Sequence, residues 1–202
     1  MNADIRAIVF DIGNVLVRWD PRLAFAPPLS MAEAEAFLVR TDFMARNLRA
    51  DAGPRFSDPA AEIADPADRA RFASYVDRYA DTVPDTITGT WALMDRLRAR
   101  QLQIHAITNW SAETWPVGVA AHPALGTAFG VTVVSGQEGV IKPDPRIFAI
   151  LCNRTGLDAA DCLFIDDSPP NVEGAKAAGW QAVRYLDPAT LKADLGRLGV
   201  AV

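Results

Sequence analysis

The sequence predicts an α/β fold: a Rossmann-like parallel sheet with helices on both faces, plus a small helical cap inserted after strand 1. Three observations predict it. From Val83 onward, short apolar runs alternate with segments whose apolar residues recur at helical spacing. The runs are apolar almost throughout, which is how strands read when both faces of a sheet are covered. Residues 19–82 break the rhythm with two helical patterns and no strand pattern. The expected organisation is a core of residues 1–18 and 83–202, and a helical insert of residues 19–82.

Each element follows in order. "IRAIVF" reads as the first strand; it runs into Asp11 and then breaks at Gly13 and Asn14. In the insert, "MAEAEAFLVRTDFMARNL" and "DPADRARFASYVDRYADTV" read as helices, joined by the Pro/Gly/Asp-rich "RADAGPRFSDPAAEIADP". "PDTITGTWALMDRLRARQ" has a proline near its start and Trp91, Leu93, Met94 and Leu97 at helical spacing, so it reads as a helix. "LQIHAIT" is then a strand, and "SAETWPVGVAAHPALGTAF" a helix interrupted at Pro116 and Pro123. "VTVVS" is a strand, "DPRIFAILCNRTG" a helix capped by Asp144, and "DCLFID" a strand. "PNVEGAKAAG" is a helix closing on Gly179, "WQAVRYL" a strand, and "DPATLKADLGRLG" the last helix. Strands separated by helices imply crossover connections and parallel pairing.

Composition narrows the classes of function. A chain of 202 residues, half of them hydrophobic, can build one core with a small insert. A net charge of −5 with no basic stripe argues against nucleic acid as a partner. Cys152 and Cys162 lie in apolar surroundings and read as reduced, buried small residues. No run reaches membrane-spanning length, and the first apolar run is too short for a signal peptide. The expectation is a cytoplasmic monomer or homodimer that handles a small molecule.

Four features fall at the carboxyl ends of expected strands: Asp11, Thr108 with Asn109, Lys142, and Asp166 with Asp167. In a parallel sheet those ends share one edge, so residues far apart in sequence converge. Each alone has a plain structural role open to it. Asp11 can start a turn that Asn14 stabilises, Thr108 can cap, Lys142 can sit in a solvated loop, and the Asp pair can cap the following helix.

With these residues on the page, the chain resembles the haloacid dehalogenase-like hydrolase superfamily. "FDIGNV" is similar to its first motif, "ITN" to its second, "KPDPRIF" to its third and "FIDDSPPNVEGAKAAG" to its fourth. The resemblance runs from Ile5 to about Leu186, and the insert matches it only by position and helical character. "DIGNV" and "TNW" look closest to the sugar-phosphate phosphatase branch of the glucose-1-phosphatase type. The resemblance implies a phosphatase that uses Mg²⁺ to cleave a small phosphorylated metabolite, such as a sugar phosphate. Asp11 would be the nucleophile and carry an aspartyl-phosphate. Asp11, the Gly13 carbonyl and Asp166 would hold the metal, with Asp167 behind them or acting through water. Thr108, Asn109 and Lys142 would hold the phosphoryl oxygens. Elementary electrostatics agrees: three clustered carboxylates raise one another's pKa, Lys142 offsets one charge, and a divalent cation among oxygen ligands offsets the rest.

One position departs from the family. Its phosphatases usually carry a second aspartate two residues after the nucleophile, as general acid and then base. Here that residue is Gly13. Three explanations stay open. The leaving group can need little help, as an anomeric oxygen does, and the resembling branch carries glycine there too. Another acid can substitute, Asp20 being the nearest in sequence. Or the chain can be a 2-haloacid dehalogenase with Asp11 as nucleophile, since halide leaves without a proton. The family's dehalogenases, however, work without a metal, lack the adjacent aspartate pair and usually show an aromatic residue at the Gly13 position. A catalytically weak binding or regulatory relative is the remaining alternative. For the substrate, Asn14 and Trp110 are candidate contacts, with Trp19 and Trp115 near the same mouth. Arg40, Arg46, Arg49 and Arg55 of the insert are candidates to meet substrate anions. His105 and His122 are not expected to be ligands.

Overall fold

Strand β1 (Ala7–Phe10) is buried along its whole length. Its side chains alternate between two cores: Ile8 and Phe10 join one cluster, Ala7 and Val9 the other. This is the period-two geometry of a strand covered on both faces. In the computed structural model the described residues are 5–53 and 55–201; the outer ends of the expected core, and Pro54 of the segment linking the two expected insert helices, lie outside them.

Strands β2 (Gln103–Thr108), β3 (Thr132–Val134), β4 (Cys162–Asp166) and β5 (Gln181–Arg184) complete a five-stranded sheet in the order β3-β2-β1-β4-β5. Every pair is parallel. Phe10 is in register with Ala106 of β2 and Ile165 of β4, so the next residues, Asp11, Ile107 and Asp166, emerge side by side. The Asp11 N–H donates to the Ile165 carbonyl at 2.8 Å, carrying the ladder up to the acid itself.

Between β1 and β2 the chain runs through α1 (Met31–Arg40), α2 (Phe43–Ala50), α3 (Ser57–Ala61), α4 (Pro66–Ala73) and α5 (Thr88–Ala99). Shorter 3₁₀ stretches lie at Pro21–Ala24 and Val76–Thr82. The rest of the fold adds α6 (Trp115–Ala121), α7 (Ser135–Glu138), α8 (Pro145–Thr155), α9 (Pro169–Ala177) and α10 (Pro188–Arg197). Phe25, Phe37, Phe43, Phe56 and Tyr75 pack inside the helical insert, with ring centroids as close as 4.6 Å. Such pairs add roughly 0.5–1.5 kcal/mol each beyond burial. This aromatic cluster is continuous with the Ile8/Phe10 face of the sheet.

Several boundaries differ from the sequence reading. The expected helix over 31–48 is two helices: Thr41 closes α1 by donating its hydroxyl to the Phe37 carbonyl, and Asp42 turns the chain with φ 47°. No glycine or proline marks that break, so periodicity runs straight through it. The second insert pattern ends as α4 and continues as 3₁₀. The linking segment holds α3, and α7 follows β3 directly; both are too short to show a period. Pro116 opens α6 instead of interrupting a helix, because a proline in the first turn removes no intrahelical bond. Asp144 caps α8 as expected, accepting from the Arg146 N–H. Cys152 and Cys162 are free thiols, and no described helix is long and apolar enough to cross a membrane.

Candidate active site

Lys142 organises the sheet edge. Its Nζ lies 2.8 Å from Asp11 Oδ1 and 2.7 Å from Asp166 Oδ2, and donates to the Ile107 carbonyl at 3.0 Å. Three acceptors match the three ammonium protons, which is why a lysine can be buried here. The loop lysine left open by the sequence is therefore an interior residue. Asn109 clamps its backbone: Asn109 Oδ1 accepts the Lys142 N–H at 2.7 Å and Nδ2 donates to the Lys142 carbonyl at 3.1 Å. Asn109 thus spends its amide on placing Lys142. Thr108, at the end of β2, lines the cavity above the edge.

Asp166 is held from several sides. Its Oδ1 accepts the Ser168 N–H at 2.8 Å, and Asn171 Nδ2 donates to both carboxylate oxygens at 3.1 Å. Asn171, buried on α9, was missed by the sequence reading, although it lies inside the quoted "DDSPPN" stretch. Asp11 Oδ1 accepts the Ile12 N–H at 2.7 Å in addition to its lysine. Beyond it, the left-handed residue is Asn14, with φ 57°, rather than Gly13. The Asn14 side chain accepts the Trp19 N–H at 3.0 Å, the turn-stabilising role open to it from sequence.

Ligand oxygens of Asp11, Asp166 and Asp167 lie within 4.8 Å of one another. Three carboxylates facing the one ammonium of Lys142 leave a deficit of two positive charges. That deficit and the all-oxygen donor set fit a hard divalent cation such as Mg²⁺. The carboxyls register the crowding. Burial pushes Asp11 up to about 7, against the pull of Lys142 and with repulsion from Asp166 and Asp167. Burial, then the charge of Asp166, also raises Asp167. Lys142 stays above the usual lysine range: burial lowers it, but the charges of Asp11 and Asp166 more than offset this.

A cavity of about 490 Å³ opens over this edge. Asp11, Gly13, Asn14, Thr108, Asn109 and Trp110 line its floor, together with Asp167. Its roof comes from the insert: Met44, Asn47, Leu48, Asp51 and Tyr79. Asp51 and Asn47 were not among the sequence candidates, because an asparagine within a helix and an aspartate at its end look like any helix surface and cap. Asp51 is 7% exposed and accepts from Asn47 Nδ2 at 2.9 Å. Its carbonyl accepts from Ser135 Oγ at 2.6 Å, and that oxygen also takes the Trp110 N–H at 2.9 Å. Gly136 follows Ser135, and any side chain there would strike the Ala112 amide, so this junction is backbone-tight.

Other candidates lie elsewhere. Trp110 lines the cavity but is wedged between Tyr79 and Trp115. Trp19 lines it too and donates its indole N–H to the Tyr75 hydroxyl. Asp20 caps the turn at Pro21–Ala24 and pairs with Arg22 at 2.7 Å, which holds its carboxyl low. It lines the adjoining groove, not this cavity. None of the four candidate arginines lines the cavity: Arg40 pairs with Asp68, and Arg46 and Arg49 both pair with Glu62. His105 and His122 bond to backbone groups away from the site.

The model of a family described as haloacid dehalogenase-like hydrolase matches residues 5–179. Among curated proteins, the chain is 30% identical over 192 residues to a phosphoglycolate phosphatase of Rhodospirillum rubrum, covering 86% of this chain and 76% of that one. It is 31% identical over 116 residues to flavin mononucleotide hydrolase 1 of Arabidopsis thaliana, covering 57% of this chain and 46% of that one. The match thus spans less than half the length of that relative. Among solved structures, a HAD family enzyme from Bacteroides thetaiotaomicron, in its magnesium complex, superposes with TM-score 0.70 at 19% identity, over 91% of this chain and 94% of that one. L-2-haloacid dehalogenase from Xanthobacter autotrophicus superposes with TM-score 0.64 at 20% identity, over 98% and 84%. These two likenesses speak to the fold.

Proposed function

Since the chain belongs to the haloacid dehalogenase-like hydrolases, we propose that it hydrolyses a small phosphate monoester through an aspartyl-phosphate on Asp11. The carboxylate cluster facing Lys142 carries this reading. Mg²⁺, held by Asp11, the Gly13 carbonyl and Asp166 with Asp167 behind them, would supply the positive charge that the transferring phosphoryl group and the ionised cluster both need. The protein's own groups do the positioning. Asp11 Oδ1 is anchored by Lys142 and the Ile12 amide, which aims the carboxylate into the cavity. The Thr108 hydroxyl meets a phosphoryl oxygen, Lys142 sets its charge against Asp11 and Asp166, and Asn109 keeps Lys142 in place. Residues 19–82 act as the cap over this site.

The lining also bears on the substrate. No Lys, Arg or His is among the described residues lining the cavity, and its roof is largely apolar. A leaving group with a second anionic charge would meet no cation there. We therefore assign an uncharged leaving group, such as a sugar or another neutral alcohol, and place phospho-acids low among substrates.

A second reading, halide release from a 2-haloacid, draws on the missing acid at Gly13. The acidic cluster opposes it, because three carboxylates without a cation would hold Asp11 protonated. The test is a panel of sugar and aryl phosphates, phosphoglycolate and a 2-haloacid, each with Mg²⁺ or with chelator. Expected are Mg²⁺-dependent phosphate release from neutral-alcohol esters, a phosphoryl mass gain on Asp11 after acid quench, and loss of at least about 10⁴-fold in Asp11→Asn with the fold intact. Halide release, or phosphate release insensitive to chelation, would sink the reading.

A further inference from the structure

We propose that Asp51, carried by the insert, is the general acid and then base that Gly13 does not provide; the proposal rests on the phosphatase reading above. The described residues lining the cavity include three carboxyls, Asp11, Asp51 and Asp167. Asp11 is the nucleophile, and Asp167 belongs to the charge cluster on the sheet edge. Asp51 alone comes from the insert and not from the sheet edge, which leaves it free to serve the leaving group of an ester whose phosphoryl group lies on Asp11.

Its placement is built. The Asn47 amide holds one carboxyl oxygen, and Ser135 Oγ fixes the Asp51 backbone to the loop after β2 through the Trp110 N–H. The groups acting on it come from every side: Lys142 and Asp11 from the sheet edge, the Ser111 amide from the β2 loop, Asn47 from α2, and Tyr75 and Tyr79 at and within the 3₁₀ stretch. Burial outweighs the pull of Ser111, Asn47 and Lys142 and pushes its carboxyl up to about 7. A group near neutral can hold a proton for donation and take one back. Asp20, the acid suggested by sequence, is tied to Arg22 in the adjoining groove.

The chemistry balances. An Asp11 oxygen attacks phosphorus as the bond from phosphorus to the leaving oxygen breaks. The electron pair goes to that oxygen, and the Asp51 carboxyl proton moves onto it, releasing the alcohol. In the second half, Asp51 carboxylate takes a proton from water as the water oxygen bonds to phosphorus. The Asp11–phosphorus bond breaks, phosphate leaves, and both carboxyls return to their starting states.

The experiment compares wild type, Asp51→Asn and the double variant Asp51→Asn/Gly13→Asp on 4-nitrophenyl phosphate and 2-phenylethyl phosphate, with Mg²⁺. The second ester has a poor leaving group and needs the proton. Expected for Asp51→Asn is a kcat/KM loss of about 10²–10⁴-fold on the alkyl ester and only a few-fold on the aryl ester, with a lower kcat on both because the aspartyl-phosphate loses its base. The slope of log kcat/KM against leaving-group pKa should steepen, and the basic limb of the alkyl-ester kcat/KM profile should vanish. A Cβ at Gly13 meets nothing within 4 Å, so the double variant should recover much of the alkyl-ester rate. Equal losses in kcat/KM on both esters, or no loss on the alkyl ester, would overturn the assignment of Asp51 while leaving the phosphatase reading standing. Wild type turning over neither ester would overturn both.

Discussion

The floor of the cavity is assembled from three chain segments that meet at one sheet edge, whereas the polar part of its roof comes from one short stretch, Asn47 to Asp51. On the floor, Lys142 has three acceptors and Asp166 is held by Lys142, Ser168 and Asn171, while burial and neighbouring charge raise Asp11 and Asp167. On the roof, Asp51 has an amide, a backbone N–H and a distant ammonium for company, and its burial is not offset. The floor gathers three acids around one ammonium, whereas on the roof burial holds a lone acid toward its neutral form. That division suits a nucleophilic edge facing a proton-holding lid.

The contrast can be broken most severely at Lys142. Lys142→Met leaves Asp11 and Asp166 buried without a counter-charge, and removing one partner of a buried pair costs about 3–5 kcal/mol. Urea unfolding at pH 7.5 should show that loss alongside the loss of turnover, and the stability deficit should shrink as falling pH protonates Asp11, whose carboxyl burial raises. Stability matching wild type would mean that the ammonium is not the floor's keystone. Of the two roles open to Lys142 from sequence, a solvated loop residue and a charge partner for the clustered acids, its buried position departs from the first.

The roof should answer with the opposite sign. Asp51 is raised in the folded protein, so it ionises above about pH 4 in the unfolded chain but only near 7 in the folded one. Its neutral form stabilises the fold fully at low pH, and that contribution is lost as pH rises through 7. Asp51→Asn should therefore be more stable than wild type at pH 8, by up to about 4 kcal/mol, with the gain fading toward pH 4. Thermal melts at the two pH values check this, and a gain independent of pH would place Asp51 in water.

The smallest effect belongs to the rim. Met44 is 56% exposed on α2, one turn before Leu48, and touches the cavity without filling a core. Met44→Ala should leave stability within about 0.5 kcal/mol, and should lower kcat/KM roughly threefold to thirtyfold, through KM, for an ester with an apolar leaving group. An unchanged KM would remove the rim from substrate contact.

The same contrast explains what could be read in advance. Asp11, Thr108, Lys142 and Asp166 were legible because each follows an apolar run, and parallel strands bring such ends together. Asn171 escaped because it sits on the next helix, where an asparagine has no partner visible in one dimension. Asp51 escaped for a different reason. It ends a helix whose start is a left-handed aspartate, Asp42, and it enters a stretch with no periodic pattern, so nothing in its neighbours distinguishes it from a cap. Asp20 was suggested by nearness in the chain, and an arginine two residues away claimed it.

The alternation of β1 between two cores makes the strand a ruler. Deleting a single residue between Arg6 and Phe10 would exchange the sides of Ile8 and Val9 and turn the strand's apolar face inside out. Deleting two would restore the facing, yet draw Asp11 back by about 6.6 Å from a lysine it now meets at 2.8 Å. The position of the reactive oxygen is thus stored as a residue count. Insertions and deletions should be nearly forbidden in those few residues.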